Sequence, residues 1–371
     1  MSQLFTPITL RSLTLPNRVM VAPMCQYSAD DGLPNAWHEV HLGSLATGSP
    51  GLLCIEATAV SDAGRITPGC LGLWSAAHEL ALTSLIKTVR ATGHTHIAIQ
   101  LGHAGRKAAC WHPWHGGRQL PADGGFWQPI APSPVGHYDT DIPPRPMDSA
   151  DLAEVQQEFV EAALRAVRAG CEAIELHGAH GYLLHQFLSP LSNRRIDAYG
   201  GSLENRMRYP LEVFAAVRAA VPAGVPVGIR ISATDWMEHT GEPSWTLDQS
   251  VVLAGELERA GCDFLHVSTG GLAAAQQIKA GPCYQVVHAE TIKRALGATA
   301  RMRVIAVGGI TEPTGAEAIV ANGQADMVAM ARAFMMNPRW TWRAAVELGA
   351  TVDVPPQVLR ATPAKIFRTT Q

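Results

Sequence analysis

The chain is poor in charge and has no long hydrophobic run. Charged residues fill 16% of its 371 positions, with 29 basic and 32 acidic side chains and a net charge of −3. No Lys/Arg cluster stands out, so neither nucleic acid nor a membrane surface is an expected partner. No stretch reaches the length of about 18 apolar residues that a spanning helix needs. Residues 1–15 lack a basic cluster followed by an apolar core, so no secretory signal is expected. Cysteine is sparse: the seven residues at 25, 54, 70, 110, 171, 262 and 283 form no CxxC pair. Their odd number and wide scatter fit reduced thiols in a cytoplasmic protein and exclude a Cys-ligated zinc or iron–sulfur site of the usual spacings. Composition breaks, linkers and tandem repeats are also missing. Apolar residues, at 47%, supply a large core, and the low charge argues against a disordered chain.

What the sequence does contain is a series of eight short apolar runs, each ending at residues suited to chemistry. Val19–Ala22 runs into Pro23, Met24 and Cys25, Leu52–Ile55 into Glu56 and Ala57, and Ile97–Ile99 into Gln100. Ala173–Leu176 ends at His177, Val227–Ile229 at Arg230, and Phe264–Val267 at Ser268. Val304–Val307 ends at Gly308 and Gly309, and Met327–Met330 at Ala331 and Arg332. Helical patterns lie between the runs, and parallel strands need such crossovers. The pattern predicts a single (β/α)8 barrel domain over residues 1–371, with polar residues gathered at the C-terminal tips of its strands, where such barrels place their active sites.

The clearest helix is predicted for Asp151–Ala169, with Leu152, Val155, Phe159, Ala162, Ala163 and Ala166 on one face, Ser149 as its cap and Gly170 at its end. A second is expected after Ser202, with Leu211, Phe214, Ala215 and Val217 before Pro222, and a third from Leu247 to Ala260. Two segments fall outside the repeat. Residues Leu4–Leu15 alternate weakly and predict a hairpin plugging the bottom of the barrel. Residues His103–Asp148, rich in Gly, Pro and Trp, form a long aperiodic stretch after the third strand. Such a stretch is usually functional, and it is read as a lid over the barrel mouth.

The sharpest local motif is His177-Gly-Ala-His180-Gly-Tyr182. It admits three readings. A metal site would use both imidazoles and a third ligand, for which Glu56 and Asp235 are the available carboxylates. An oxyanion site would use both imidazoles as hydrogen-bond donors to one carbonyl oxygen, with Tyr182 as proton donor. In a purely structural role the histidines would be satisfied by backbone. A second signal lies at the last two tips, where Gly308, Gly309, Ala331 and Arg332 suit a phosphate held by backbone N–H groups and a guanidinium. Arg230 and Gln100 at other tips would take the polar heterocycle at the far end of such a ligand. Flavin mononucleotide has that form, with Arg230 facing N1 and O2 of the ring.

Several segments together resemble the Old Yellow Enzyme family of flavin ene-reductases, within it the bacterial subgroup typified by xenobiotic reductase A. They are Ala22-Pro-Met-Cys-Gln-Tyr-Ser28, Glu56-Ala-Thr-Ala59, Gly64-Arg-Ile-Thr67, Gln100-Leu-Gly-His-Ala-Gly-Arg-Lys107, His177-Gly-Ala-His-Gly-Tyr182, Asp197-Ala-Tyr-Gly-Gly-Ser-Leu-Glu-Asn-Arg206 and Arg230-Ile-Ser232. The resemblance implies non-covalent FMN, NADPH or NADH as reductant, and ping-pong reduction of α,β-unsaturated carbonyl or nitro compounds. It further implies a cytoplasmic homodimer or homotetramer. Carried over by residue, Pro23, Met24, Cys25, Ala57, Gln100 and Arg230 would surround the ring, and Gly308, Gly309, Ala331 and Arg332 would hold the phosphate. Tyr27, His177, His180 and Tyr182 would meet the substrate, the last three as catalytic groups, with no metal. Arg360 in Gln357-Val-Leu-Arg360 resembles a finger reaching a neighbouring subunit's pocket. Two positions depart from the wider pattern: Ala331 stands where the family often has Gly, and His180 where its larger members carry Asn.

Overall fold

The structure is a computed structural model and describes residues 1–361 and 366–368. Eight parallel strands close into a barrel: β1 (Val19–Val21), β2 (Leu52–Ala59), β3 (His96–Gly102), β4 (Ala173–Gly178), β5 (Val227–Ser232), β6 (Phe264–Ser268), β7 (Arg303–Val307) and β8 (Met327–Met330). Each strand pairs with its sequence neighbours, and β8 pairs with β1 through Val328↔Val19 and Met330↔Val21 to complete the ring. All eight residues of β2 are buried. Strands covered on both faces carry near-continuous apolar runs, so the runs are visible in the sequence. β2 reaches Ala59 rather than stopping at Glu56. The pairing register shifts between Ile55 and Ala57, so Glu56 sits in a bulge and Ala57 lies opposite Gln100 on β3. A bulge re-aims side chains without ending the strand.

The bottom is closed by an antiparallel hairpin of Ile8–Leu10 and Leu13–Leu15. Ile8, Leu10 and Leu15 pack against Met20, Leu52, Ala98, Phe264 and Met327 from the barrel interior. The plug therefore fills the end opposite the strand tips, as the alternation predicts.

Among the described residues ten helices flank the strands: α1 (Ala36–Ala46), α2 (Ala76–Thr92), α3 (Ser149–Ala169), α4 (Leu183–Leu188), α5 (Leu203–Ala220), α6 (Leu247–Arg259), α7 (Val286–Leu296), α8 (Pro313–Ala321), α9 (Arg332–Met336) and α10 (Trp340–Glu347). On α3 the six predicted apolar positions are all buried. Its cap, however, is Asp148 and not Ser149. Asp148 Oδ1 accepts from the backbone N–H groups of Ala150 (2.8 Å) and Asp151 (2.9 Å), while Asp151 reaches back to the Asp148 N–H. Two reciprocal bonds outweigh the single one a serine would make. Ser202 caps α5 as expected, but Ala215 is exposed and the buried face is Met207, Pro210, Val213, Phe214 and Val217. Those positions recur at three and four residues, and 215 turns off their stripe.

The stretch from 103 to 148 contains only two short helical turns, Gly105–Lys107 and Pro113–His115, and a two-residue strand pair, Ile130–Ala131 with Arg145–Pro146. Side chains order it instead. Arg106 donates to the carbonyls of Gly136 (3.0 Å) and Leu272 (2.7 Å), and Trp127 Nε1 donates to Ala63 O.

The cap assignment has a measurable consequence. Asp148→Ala is expected to lower stability in urea unfolding by about 1 kcal/mol, and Ser149→Ala by far less. Equal losses would overturn the assignment.

Candidate active site

His177 ends the buried run of β4, and the chain then turns sharply. His180 adopts φ +56° and Gly181 φ +74°. Left-handed geometry is costly for a non-glycine residue, and three hydrogen bonds to the backbone of the turn hold it. Ser232 Oγ accepts from the His180 N–H (2.9 Å), and Lys107 Nζ donates to His180 O (2.9 Å) and to Gly271 O (3.0 Å). His185 Nδ1 accepts from the Gly181 N–H (3.0 Å), while its Nε2 lies 3.0 Å from the buried Asp235 carboxylate. The turn brings the His177 and His180 rings to 5.2 Å and Tyr182 to 4.8 Å from His177.

The hydrogen bonds assign what each ring offers. His177 Nδ1 accepts from the Ala179 N–H (3.2 Å), which puts the proton of the neutral ring on Nε2. His180 Nε2 meets Ser268 Oγ at 2.8 Å. Ser268 Oγ also donates to Gln285 Oε1 at 3.4 Å, so the way this hydroxyl turns decides whether the proton of the neutral His180 ring sits on Nε2 or on Nδ1. Burial holds both imidazoles well below the usual histidine range, and the Arg230 guanidinium adds to the effect. Desolvation pushes the Tyr182 phenol well up, with the nearby cysteines adding to it, so it keeps its proton. Two neutral imidazoles and one protonated phenol therefore come together.

They meet three adjoining spaces. His180 and Arg230 line a cavity of about 880 Å³, together with Gly308, Gly309, Ala331 and the exposed Arg332. Ala57, His177 and Tyr182 line a narrow crevice, and Tyr182, Tyr27, Lys107, Trp111 and Tyr138 wall a chamber of about 200 Å³ beneath the 103–148 stretch. Pro23, Met24, Cys25 and Gln100 lie at the tips of β1 and β3 but line none of these spaces, and Arg360 sits exposed in the turn Pro356–Ala361, away from them. Gly308 (φ +109°) and Gly309 (φ +69°) admit no side chain: a Cβ on Gly309 would stand 2.3 Å from Gly281 O. Arg230 is buried, and its Nε has no partner among the described residues. A buried donor without a partner beside a large cavity is the mark of a ligand contact, and this set fits a phosphate-bearing heterocycle.

The remaining residues of the mouth refine the picture. Burial raises the Cys25 thiol, with Glu56 adding to it, so it is a neutral thiol. Glu56 is itself pushed up to about 8 by burial, and its Oε2 accepts from the Gln26 N–H at 2.8 Å. Asp235 is taken up by His185, Ser189 and Trp245. Neither carboxylate is thus placed as a third metal ligand beside His177 and His180. Among the described residues no group of three or more His, Cys, Asp or Glu side chains is arranged to hold a metal. Lys107, Ser232, Ser268 and Glu175 received no individual role from the sequence, because their partners lie on other strands. The segments ending in Lys107 and Ser232 and the run ending at Ser268 carried a signal, whereas Glu175 lay inside an apolar run.

Acid stability follows from the buried imidazoles. His103, His177, His180 and His266 have lowered pKa values, so between those values and 6.5 the unfolded chain binds more protons than the fold. Stability must then fall as pH drops below 6.5, by up to about 1.36 kcal/mol per pH unit for each such group. Glu56, raised to about 8, and Glu158, raised to about 7, act with the opposite sign but are fewer. The urea midpoint should therefore decrease from pH 6.5 to pH 5; a flat or rising midpoint contradicts this account.

Residues 3–350 match the model of the NADH:flavin oxidoreductase / NADH oxidase family. An NADH:flavin oxidoreductase of Gibberella zeae is 43% identical over 96% of this chain and 88% of its own length. An NADPH dehydrogenase of Geobacillus sp. is 42% identical over 97% of this chain and 98% of its own. The solved structure of morphinone reductase in complex with tetrahydroNAD superposes with a TM-score of 0.74 at 30% identity, covering 99% of this chain and 95% of that one. The chain belongs to the NADH:flavin oxidoreductase / NADH oxidase family, that of Old Yellow Enzyme, and is an oxidoreductase whose cofactors are FMN and a reduced nicotinamide.

Proposed function

We propose that the protein is an ene-reductase acting on α,β-unsaturated carbonyl or nitro compounds. One observation carries the reading: two neutral imidazoles, one of them with its proton fixed on Nε2, meet a protonated tyrosine beside a cavity bounded by a buried guanidinium and a glycine pair. In this reading Pro23, Met24, Cys25, Ala57, Gln100 and Arg230 surround the isoalloxazine, and Gly308, Gly309, Ala331 and Arg332 take the phosphate. FMN, when bound, supplies hydride that it has received from NADPH or NADH.

The side chains of the chain do the rest. His177 Nε2 and His180 Nδ1 donate to the carbonyl or nitro oxygen of the substrate and stabilise the negative charge that gathers there as the β-carbon is reduced. Tyr182, or water, delivers a proton to the α-carbon. Lys107, 5.0 Å from the Tyr182 ring centroid and bonded to His180 O, fixes the distance between these donors. Tyr27 and Tyr182 offer aromatic walls to the substrate. A single mouth serves both partners, so nicotinamide and substrate would occupy it in turn, in a ping-pong cycle. No described helix is long and apolar enough to cross a membrane, and we place the protein in the cytoplasm. We also read residues 1–371 as one domain that assembles as a homodimer or homotetramer, with Arg360 reaching a neighbour's mouth.

The purified protein should be yellow and should bleach under nitrogen on addition of NADPH or NADH, then regain its colour with a cyclic enone. A colourless protein that takes up no FMN would refute the reading. In His177→Ala/His180→Ala, bleaching by nicotinamide should persist while enone reduction falls by at least about 100-fold, since each such donor is typically worth about 2.7–4 kcal/mol. Wild-type reoxidation by enone in that variant, followed by stopped flow, would remove both histidines from the mechanism.

A further inference from the structure

One fully buried carboxylate has no part in the chemistry above. Glu175 stands two residues before His177 on β4, so both side chains project to the same side of the strand. Its exposure is 0%. Oε1 accepts from Gln100 Nε2 on β3 at 2.7 Å, and Oε2 accepts from His266 Nδ1 on β6 at 2.9 Å. Arg230, on the intervening strand β5, is in register with His177 on one side and His266 on the other. A chain of polar groups therefore crosses the barrel from β3 to β6, level with the two groups assigned to the flavin ring, Gln100 and Arg230. Neither Glu175 nor His266 lines any of the three spaces at the mouth.

The charges in this layer are few and opposed. His266 is held neutral by burial and by Arg230, and its Nε2 has no partner among the described residues. Arg230 is then the cation of the layer and Glu175 the anion. As an acceptor only, the carboxylate draws the Gln100 amide nitrogen toward itself and turns the amide oxygen elsewhere. Glu175 thus holds one of the two assigned ring contacts, Gln100, by a hydrogen bond and acts on the other, Arg230, through its charge alone.

We propose that Glu175 is a positioning residue that orients the Gln100 amide and offsets the charge of Arg230, and so limits how much more tightly reduced flavin binds than oxidised flavin. The proposal rests on the placement of the ring against Gln100 and Arg230. Reduced flavin collects negative charge at N1 and O2, which a cation beside it stabilises and a buried anion opposes. Two unit charges at an effective dielectric of about 20 and a separation under about 10 Å change an equilibrium by more than about tenfold.

The test uses the FMN-loaded enzyme and two measurements: the affinity for oxidised FMN, and the flavin reduction potential by anaerobic dye equilibration. In Glu175→Gln, which keeps the size and removes the charge, the ratio of reduced to oxidised affinity should rise at least about tenfold, or about 30 mV for a two-electron couple. Glu175→Asp, which keeps the charge, should stay near the wild-type ratio. A role in packing alone reverses that order, with Gln harmless and Asp damaging. A wild-type ratio in Glu175→Gln overturns the proposal. If that protein is not recovered, Glu175→Leu carries the test: it too removes the charge, so the ratio should again rise at least about tenfold. A wild-type ratio there overturns the proposal as well. Arg230→Gln separates the two levels, because an unchanged potential there refutes the placement of the ring itself.

Discussion

A guanidinium buried at the tip of β5 is the constraint around which the mouth of this barrel is organised. Arg230 has lost its water, and its Nε finds no protein partner among the described residues. Its charge helps to keep His177, His180 and His266 neutral. A neutral imidazole has one donor and one acceptor, and the hydrogen-bond network decides which nitrogen is which. The Ala179 N–H occupies the acceptor of His177, and Ser268 Oγ meets Nε2 of His180. What remains is a donor on His177 beside the crevice and the Nδ1 of His180 beside the large cavity. Desolvation, often only a cost, here keeps the imidazoles neutral, which the proposed function requires of donors to a developing oxyanion.

The geometry is bought with backbone strain at several points. His180 and Tyr27 both adopt positive φ without being glycine. For His180 the compensation is explicit: Ser232, Lys107 and the Asp235–His185 pair each hold one backbone group of the turn. For Tyr27 the neighbouring Gln26 N–H is held by Glu56, the bulge residue of β2. Elements far apart in the chain thus hold the two faces of the mouth in place, which is what a preorganised site requires.

Much of the architecture was legible in the residues. Strands buried on both faces must be apolar throughout, so eight apolar runs announced eight strands, and their order announced the closed barrel. The face of α3 was readable because its spacing is regular, and the cap at Ser202 because one residue makes it. The cap of α3 was misread because Asp148 and Ser149 are both good capping residues and only the reciprocal bond with Asp151 separates them. Ala215 was misplaced for a similar reason: beside Phe214 it looks like part of the stripe, and only the phase of the helix turns it outward.

The sequence by itself determined the fold class, the family and the residues that stand at the strand tips, because these depend on short-range pattern and on motifs whose members are near neighbours. Tertiary structure alone decided which tip faces which. It paired Glu175 with Gln100 and His266, set Lys107 under the His180 carbonyl and gave Ser268 to the second imidazole. These contacts join residues 73 to 91 positions apart, and their existence depends on the curvature and register of the closed sheet. No local spacing encodes that register.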